Sequence, residues 1–223
     1  MNQSLWNTVD DYFSEVLHLN DPALEHARDR AREAGLPPHE VAPNQGRLLQ
    51  IFAQMVGARR ILEIGTLGGY STIWLARALP PSGRLVSLER NAAYADVART
   101  NLAAAGLAAC TDIIVGDARD ILQQWAASDA EPFDMIFLDA DKADNPQYLE
   151  LALRLARDGT IIVGDNIIRG GRIADREATD QPDVLGACRF LKTLGHDLRL
   201  TSTAIQTVGI KGWDGFSLAR VSR

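Results

Sequence analysis

The sequence has few cysteines. Of its 223 residues only Cys110 and Cys188 are cysteine; they lie far apart and lack the CxxC or CxxH spacing of a zinc site. We therefore expect both to be buried, reduced thiols and not a disulfide.

A basic face is missing, because 29 Asp and Glu outnumber 23 Lys and Arg and leave a formal net charge of −6. Nucleic acid and anionic membranes both attract basic surfaces, so neither is an expected partner. No apolar run approaches the ~20 residues that span a bilayer. The start, MNQSLWNTVDDYFSEVL, also lacks the basic and apolar segments of a signal peptide. These absences predict a cytoplasmic protein.

The length and composition of the chain predict one α/β domain over 1–223, with 46% hydrophobic residues to form its core. Apolar spacing predicts a helical lead-in over 1–57, with helices at 4–19, 22–35 and 43–57. The remaining core, 58–223, begins with short apolar runs typical of strands, at 59–65, 83–89, 110–117, 133–139 and 159–165. Segments long enough for crossover helices separate them, at 70–79, 91–106, 118–127 and 145–157. This alternation predicts a mostly parallel sheet with helices on both faces.

The C-terminal part has a different pattern. The runs 198–206 and 215–221 predict two antiparallel strands separated by an eight-residue link rich in glycine. The stretch 169–183 has the weakest pattern and is expected to be a mobile loop.

Acidic residues recur at the ends of the predicted parallel strands, where open sheets bind ligands. They are Glu63, Glu89, Asp117, Asp139 and Asp165. A single acid there is commonly a helix cap or a solvated boundary. Five acidic residues at neighbouring strand ends favour a ligand that carries hydroxyls, amines or positive charge.

The bend after the first strand reads GTLGGYS. It fails the dinucleotide pattern G-x-G-x-x-G, because Leu67 and Tyr70 stand where glycine is needed, and no G-K-[ST] follows for a phosphate loop. Its glycines still allow close approach of a small ligand, Ser71 can cap the next helix, and Glu89 can accept ribose hydroxyls. Alternatively, the glycines serve packing alone.

A pair of aspartates predicts a second centre. If their strands are neighbours, Asp139 and Asp165 lie ~5 Å apart, so either one is protonated or a cation lies between them. Asn166 adds a neutral oxygen, and this set of oxygens suits magnesium. Lys142, three residues after Asp139, could then serve as a general base. Alternatively, Lys142 pairs on the surface with Asp141 or Asp144.

Five segments, LEIGTLGGYST, LVSLERN, GDARDIL, FDMIFLDADK and IIVGDNIIRGG, together resemble the cation-dependent, S-adenosylmethionine-dependent O-methyltransferases, the family of catechol and caffeoyl-CoA O-methyltransferases. The resemblance is nearest to small bacterial members and extends from about Val41 to the C-terminus. It implies a class I methyltransferase fold, Rossmann-like, with seven strands of which the last is antiparallel. It also implies a homodimer.

The resemblance implies roles for particular residues. Lys142 and Asp139 would be catalytic, and Asp139, Asp165 and Asn166 would bind Mg²⁺, Mn²⁺ or Ca²⁺. S-adenosylmethionine would contact Val41, Glu63, Gly65, Thr66, Gly69, Ser71, Glu89, Asp117, Ala118 and Asp139. Ala140 follows Asp139 where animal catechol enzymes have bulkier residues, which removes an expected wall for a catechol.

The predicted reaction transfers a methyl group to a phenolic hydroxyl of a catechol-like small molecule. The loop 167–181, with Arg169, Arg172 and Arg176, is expected beside this acceptor, where its arginines either meet a carboxylated phenol or only solvate the loop. Two other functions stay open: a nicotinamide-dependent oxidoreductase, and an S-adenosylmethionine-binding module without catalysis.

Overall fold

The computed structural model describes residues 2–128, 130–175 and 180–222. Three helices precede the first strand: α1 Gln3–Val16, α2 Pro22–Glu33 and α3 Pro43–Met55. The side chain of Asp21 caps α2, because it accepts the backbone N–H groups of Ala23 and Leu24. The helical start that the sequence predicted is thus present.

One seven-stranded sheet forms the centre of the molecule. Its strands are β1 Arg60–Ile64, β2 Arg84–Glu89, β3 Thr111–Val115, β4 Phe133–Leu138, β5 Ala156–Gly164, β6 Leu200–Gly209 and β7 Gly212–Val221. Their order is β3-β2-β1-β4-β5-β7-β6. The first five strands are parallel, and β7 lies antiparallel between β5 and β6. The predicted fold class is confirmed.

Helices cover both faces of this sheet. They are α4 Tyr70–Ala76, α5 Ala92–Ala104, α6 Ala118–Ala126, α7 Asn145–Arg154 and α8 Pro182–His196, besides the three at the start. Alternate residues of β4 point to opposite cores: Ile136 packs with Leu149 of α7, whereas Phe137 belongs to the cluster of Trp74 from α4. In the described ranges, no helix combines the length and apolarity needed to cross a membrane.

Two details of the C-terminal part differ from the prediction. Its strands are joined by two residues, Ile210 and Lys211, where an eight-residue link was expected, because β6 and β7 pair along their whole length. The stretch expected to be an irregular loop contains a 3₁₀ turn, Arg169–Ala174, and the start of α8. Helix α8 forms because Val184, Ala187, Phe190 and Leu194, at helical spacing, are all buried.

Candidate functional site

A cavity of about 650 Å³ opens at the carboxyl ends of the parallel strands. Most of the predicted site residues line it: Val41, Gly65, Thr66, Ser71, Glu89, Asp117, Ala118, Asp139, Lys142, Asp165 and Asn166. Glu63 and Gly69 were also predicted to contact the ligand, but they are not part of the lining. The glycine bend and the aspartate pair therefore belong to one cavity.

The glycine bend depends on two positive φ angles. Gly65, directly after β1, has φ 98°, and a Cβ there would overlap the backbone carbonyl of Asp139. Gly69 has φ 79° at the start of α4, where a Cβ would lie 3.2 Å from the Cβ of Ala98. Only glycine meets both requirements. The bend is thus pressed against the backbone that carries the first aspartate.

Behind the bend, the carboxylate of Glu63 is completely buried. Three hydroxyls donate hydrogen bonds to it: Ser71 at 2.6 Å, Thr72 at 2.5 Å and Ser87 at 2.6 Å. Burial raises the pKa of Glu63 to about 7, although the hydroxyls oppose this rise. The prediction that Ser71 caps α4 is wrong, because its hydroxyl points to Glu63 and Gly69 takes the cap position.

The Glu63 carboxylate lies behind the cavity wall, so its predicted contact with a ligand stays a prediction. Its oxygens are enclosed by hydroxyls, and one of these belongs to Ser71, which does line the cavity. Glu63 therefore orients part of the cavity wall from behind.

Glu89, the last residue of β2, closes the bend from the neighbouring strand. Its Oε2 accepts the backbone N–H groups of Thr66, at 3.2 Å, and Leu67, at 2.9 Å. Its Oε1 accepts the N–H of Asn91 at 2.8 Å. A carboxylate has about four lone-pair sites, so capacity remains for hydroxyls of a ligand.

Asp117 has a structural role as well as a place in the cavity wall. It caps α6 by accepting the backbone N–H of Arg119 at 2.9 Å, and its other oxygen lies 2.7 Å from the Arg119 guanidinium. These hydrogen bonds to Arg119 lower the pKa of Asp117 to about 2. This carboxylate is therefore charged at neutral pH.

The two aspartates of the second centre do follow neighbouring strands. Leu138 pairs with Gly164 in the β4–β5 ladder, and the backbone N–H of Asp165 donates to the Leu138 carbonyl at 3.0 Å. Burial and the nearby Asp139 charge raise the pKa of Asp165 to about 7. Asn166 follows with φ 51°, in the left-handed region. The predicted adjacency of these strand ends is confirmed.

Lys142 completes this centre. Its side chain is 7% exposed, and its ammonium donates to Oδ1 of Asp139 at 2.9 Å. The alternative that placed it in a surface pair is wrong, because Asp141 pairs with Arg90 and Asp144 with Arg119. The turn Lys142–Asp144 thus aims a buried cation at the aspartate pair.

The arginines of the following segment are bound within the protein. Arg169 lies 2.5 Å from Asp183, at the start of α8, and Arg172 lies 3.7 Å from the same carboxylate. The third predicted arginine, Arg176, lies outside the described residues. Arg169 lines the cavity, but its guanidinium already has a carboxylate partner.

Sequence reasoning missed several lining residues, among them Gln45, Tyr148, Asp183, Lys211 and Asp214. Gln45 and Asp183 each lie in the first turn of a helix that begins with a proline, and such a helix start can be recognised in the sequence. Lys211 and Asp214 come from the C-terminal hairpin, and no local pattern shows that this hairpin reaches the cavity.

Comparisons with known proteins agree with this geometry. The model of the family described as O-methyltransferase matches residues 14–221. Two relatives named catechol O-methyltransferase are each 48% identical. The one from Niastella koreensis aligns over 99% of this chain and 100% of its own, and the one from Mycobacterium tuberculosis over 96% and 94%.

Solved structures of O-methyltransferases are also similar to this chain. An O-methyltransferase from Bacillus cereus in complex with SAH has TM-score 0.96 and 48% identity, over 99% of this chain and 100% of that one. TomG, an O-methyltransferase from Streptomyces achromogenes involved in tomaymycin synthesis and in complex with SAM, has TM-score 0.95 and 48% identity over 100% of both chains. The sheet of this chain and its helices have the same Rossmann-like architecture as these methyltransferases.

Proposed function

This chain belongs to the O-methyltransferase family, and from that premise we propose that it transfers a methyl group from S-adenosylmethionine to a phenolic hydroxyl of a catechol-like acceptor. The observation that carries the proposal is the buried Lys142–Asp139 pair beside Asp165, in the same cavity as the glycine bend. The names of the two curated relatives support a catechol as acceptor. Family membership leaves the nicotinamide alternative without support.

The methyl donor would occupy the end of the cavity at the glycine bend. Glu89 would accept the ribose hydroxyls, Asp117 and Ala118 would lie on the adenine side, and Val41 and Ser71 would lie near the methionine end. The bend has no phosphate-binding residues and the wall carries several carboxylates, which suits a cationic ligand without phosphate. Bound there, S-adenosylmethionine supplies an electrophilic methyl group on a sulfonium.

A divalent cation fits the other end of the cavity. In the described ranges, no group of three or more His, Cys, Asp and Glu side chains could hold a metal. The proposed set has two carboxylates, Asp139 and Asp165, and the Asn166 amide, and such hard oxygen donors are those that Mg²⁺ prefers. A bound cation would supply Lewis acidity that favours the deprotonated form of a phenol.

The chain's own residues would orient the acceptor and move its proton. Lys142 is buried and held 2.9 Å from Asp139, so its position is defined before a ligand arrives. After losing its own proton, its amine would accept the proton of the acceptor hydroxyl. The enclosing wall would keep bulk water from the acceptor oxygen while the methyl group is transferred.

Replacing Asp165 by asparagine tests the metal end. D165N keeps the side-chain size but removes one ligand charge, so we expect Mg²⁺-dependent turnover to fall by about a hundredfold or more, because several kcal/mol of charge stabilisation would be lost. Binding of S-adenosylmethionine, measured by calorimetry, should stay near the wild-type value. The matched control is D96N, at an exposed aspartate that pairs with Arg99 and is not part of the cavity lining, and it should turn over like wild type. Full turnover by D165N would contradict the metal assignment.

We also propose a homodimer. Helix α1 and the residue directly after it expose a set of large apolar side chains that a second copy could cover: Leu5, Val9, Tyr12, Phe13, Val16 and Leu17. Sedimentation should then give twice the chain mass of 24.3 kDa. A monomer at micromolar concentration would contradict this proposal.

A cytoplasmic location is proposed as well. Cys110 and Cys188 are both free thiols, as is usual in a reducing compartment. Both are partly buried, less than the sequence predicted. Fractionation of the host cell with an antibody against the protein tests the location, and recovery with secreted proteins would contradict it.

A further inference from the structure

We propose that Gly186, on helix α8, is a positioning residue that fixes Lys142 against Asp139. The inference rests on the proposed function in one respect, since it takes Lys142 to be the base. Gly186 itself is not part of the cavity lining. It acts through the backbone of the turn that carries the lysine.

Helix α8 and this turn touch backbone to backbone. A Cβ built on Gly186 would overlap the carbonyl oxygen of Lys142 and lie 2.6 Å from the Cα of Ala143. Such overlap is not relieved by rotating a side chain, because both atoms belong to the main chain. Glycine is therefore what permits α8 to approach the turn Lys142–Asp144 this closely.

The same face of α8 contacts two other parts of the site. Asp183, one turn before Gly186, holds Arg169, which follows the Asp165–Asn166 pair in the chain. Phe190, one turn after Gly186, lies 2.6 Å from the place that a Cβ on Gly164 would occupy, directly before Asp165. Spacings of three and four residues put these side chains on one face of a helix. One helix thus fixes the lysine turn relative to the end of β5.

The placement of Lys142 follows from this contact. Its ammonium reaches Asp139 from three residues away along the chain, with 7% of the side chain exposed. A methyl group on residue 186 must move either α8 or the turn. Displacing the turn moves the Lys142 Nζ away from Asp139 while leaving the glycine bend and Glu89 in place.

The test compares Gly186→Ala with Gly195→Ala. Gly195 is on the same helix and a Cβ there meets nothing within 4 Å, so G195A makes the same chemical change without the contact. We expect G186A to lower kcat by about a hundredfold, the scale of a misplaced catalytic group, with KM for the catechol and affinity for S-adenosylmethionine near wild type. G195A should behave like wild type. Unchanged kcat in folded G186A would overturn the proposal.

A double-mutant cycle separates positioning from a merely structural role. If Gly186 acts through Lys142, adding G186A to Lys142→Ala should cause no further loss of kcat beyond that of K142A alone. If G186A lowered the kcat of K142A by the same factor as it lowers the kcat of wild type, the proposal would be overturned. If K142A alone retains wild-type kcat, the base assignment fails, and the placement of the lysine is then judged by labelling.

Lysine labelling measures that placement without any substrate. The chain has three lysines, Lys142, Lys192 and Lys211, of which the last two are exposed. Acetylation followed by mass spectrometry should label Lys142 slowest in wild type. In G186A the rate at Lys142 should rise relative to Lys192, and in G195A it should not. An unchanged ratio in G186A would overturn the proposal.

If G186A does not fold, the other side of the contact provides the variant. Ala143→Gly removes only an exposed Cβ but loosens the turn that rests on Gly186. We expect a loss of kcat of about tenfold and faster acetylation of Lys142. Wild-type kcat together with wild-type labelling in A143G would overturn the proposal.

Discussion

At the scale of single residues, Glu63 is a buried acid that supports the cavity wall from behind. Ser71, Thr72 and Ser87 each donate a hydroxyl to it, and Ser87 also contacts Thr66 at 2.6 Å. Through Ser71 and Thr66 the network reaches two residues of the cavity lining. The local order of the bend therefore depends on Glu63 as well as on Glu89, which accepts backbone N–H groups of the bend.

Glu63→Gln should change how stability depends on pH. Burial raises the pKa of Glu63 from 4.5 to about 7 in the folded state. The folded chain therefore holds this proton more tightly than the unfolded chain. The stability that this contributes is present below pH 4.5 and is lost as pH rises through about 7, by about 3 kcal/mol.

Denaturant unfolding of wild type and E63Q between pH 4.5 and 8 measures this effect. The free energy of unfolding of E63Q, relative to wild type, should increase across that range, because the amide does not titrate. Glu150→Gln, at an exposed position of α7, is the control and should parallel wild type. A constant difference between E63Q and wild type would contradict the raised pKa.

At the scale of elements, Asp10 ties the first helix to the last hairpin. Its Oδ1 accepts the Asn44 side-chain amide of α3 at 3.0 Å, and its Oδ2 accepts the backbone N–H of Ile210 at 2.7 Å. A Cβ on Gly209 would overlap the same carboxylate. The hairpin turn, α1 and the start of α3 thus meet at one buried side chain.

Asp10→Ala should lower the free energy of unfolding by about 1–3 kcal/mol, because the Ile210 N–H and the Asn44 amide would lose their acceptor. Thermal or denaturant unfolding measures the change. The next residue, Asp11, is exposed, so D11A is the matched control and should be close to wild type. Equal stability of D10A and D11A would contradict a role for this contact.

The elements that the sequence predicted well are those with a complete local pattern. Strands β1 to β5 are apolar runs that stop at a glycine or an acid, and their crossover helices have the expected lengths. Helix α8 was missed because the charged stretch before Pro182 has no helical pattern, although Phe190 and Leu194 are spaced for a buried face. The hairpin link was overestimated because Gly215 resembles a turn residue. It lies within β7, where a Cβ would overlap the Ile205 carbonyl.

At the scale of the whole molecule, the cavity is assembled from segments distant in the chain. Lys211 of the hairpin turn donates to the Pro38 carbonyl at 3.0 Å and to the Glu40 carboxylate at 3.1 Å, and all three residues line the cavity. The row of acidic strand ends was visible in the sequence, since sheet topology places such ends together. The partners of Glu63 were not, because the hydroxyls around it come from α4 and β2 and reach it only through tertiary packing.

Methyl transfer in the presence and absence of a divalent cation is the decisive test of the proposed metal-dependent reaction. Labelled S-adenosylmethionine would be offered with a panel of catechols, hydroxycinnamates and their thioesters, first with Mg²⁺ and then with excess chelator. We expect product from a catechol-like acceptor with Mg²⁺, none with chelator, and recovery when Mg²⁺ is restored. Transfer that persists in chelator would contradict the metal-dependent mechanism. Cofactor binding without transfer to any acceptor would instead favour a binding module without catalysis.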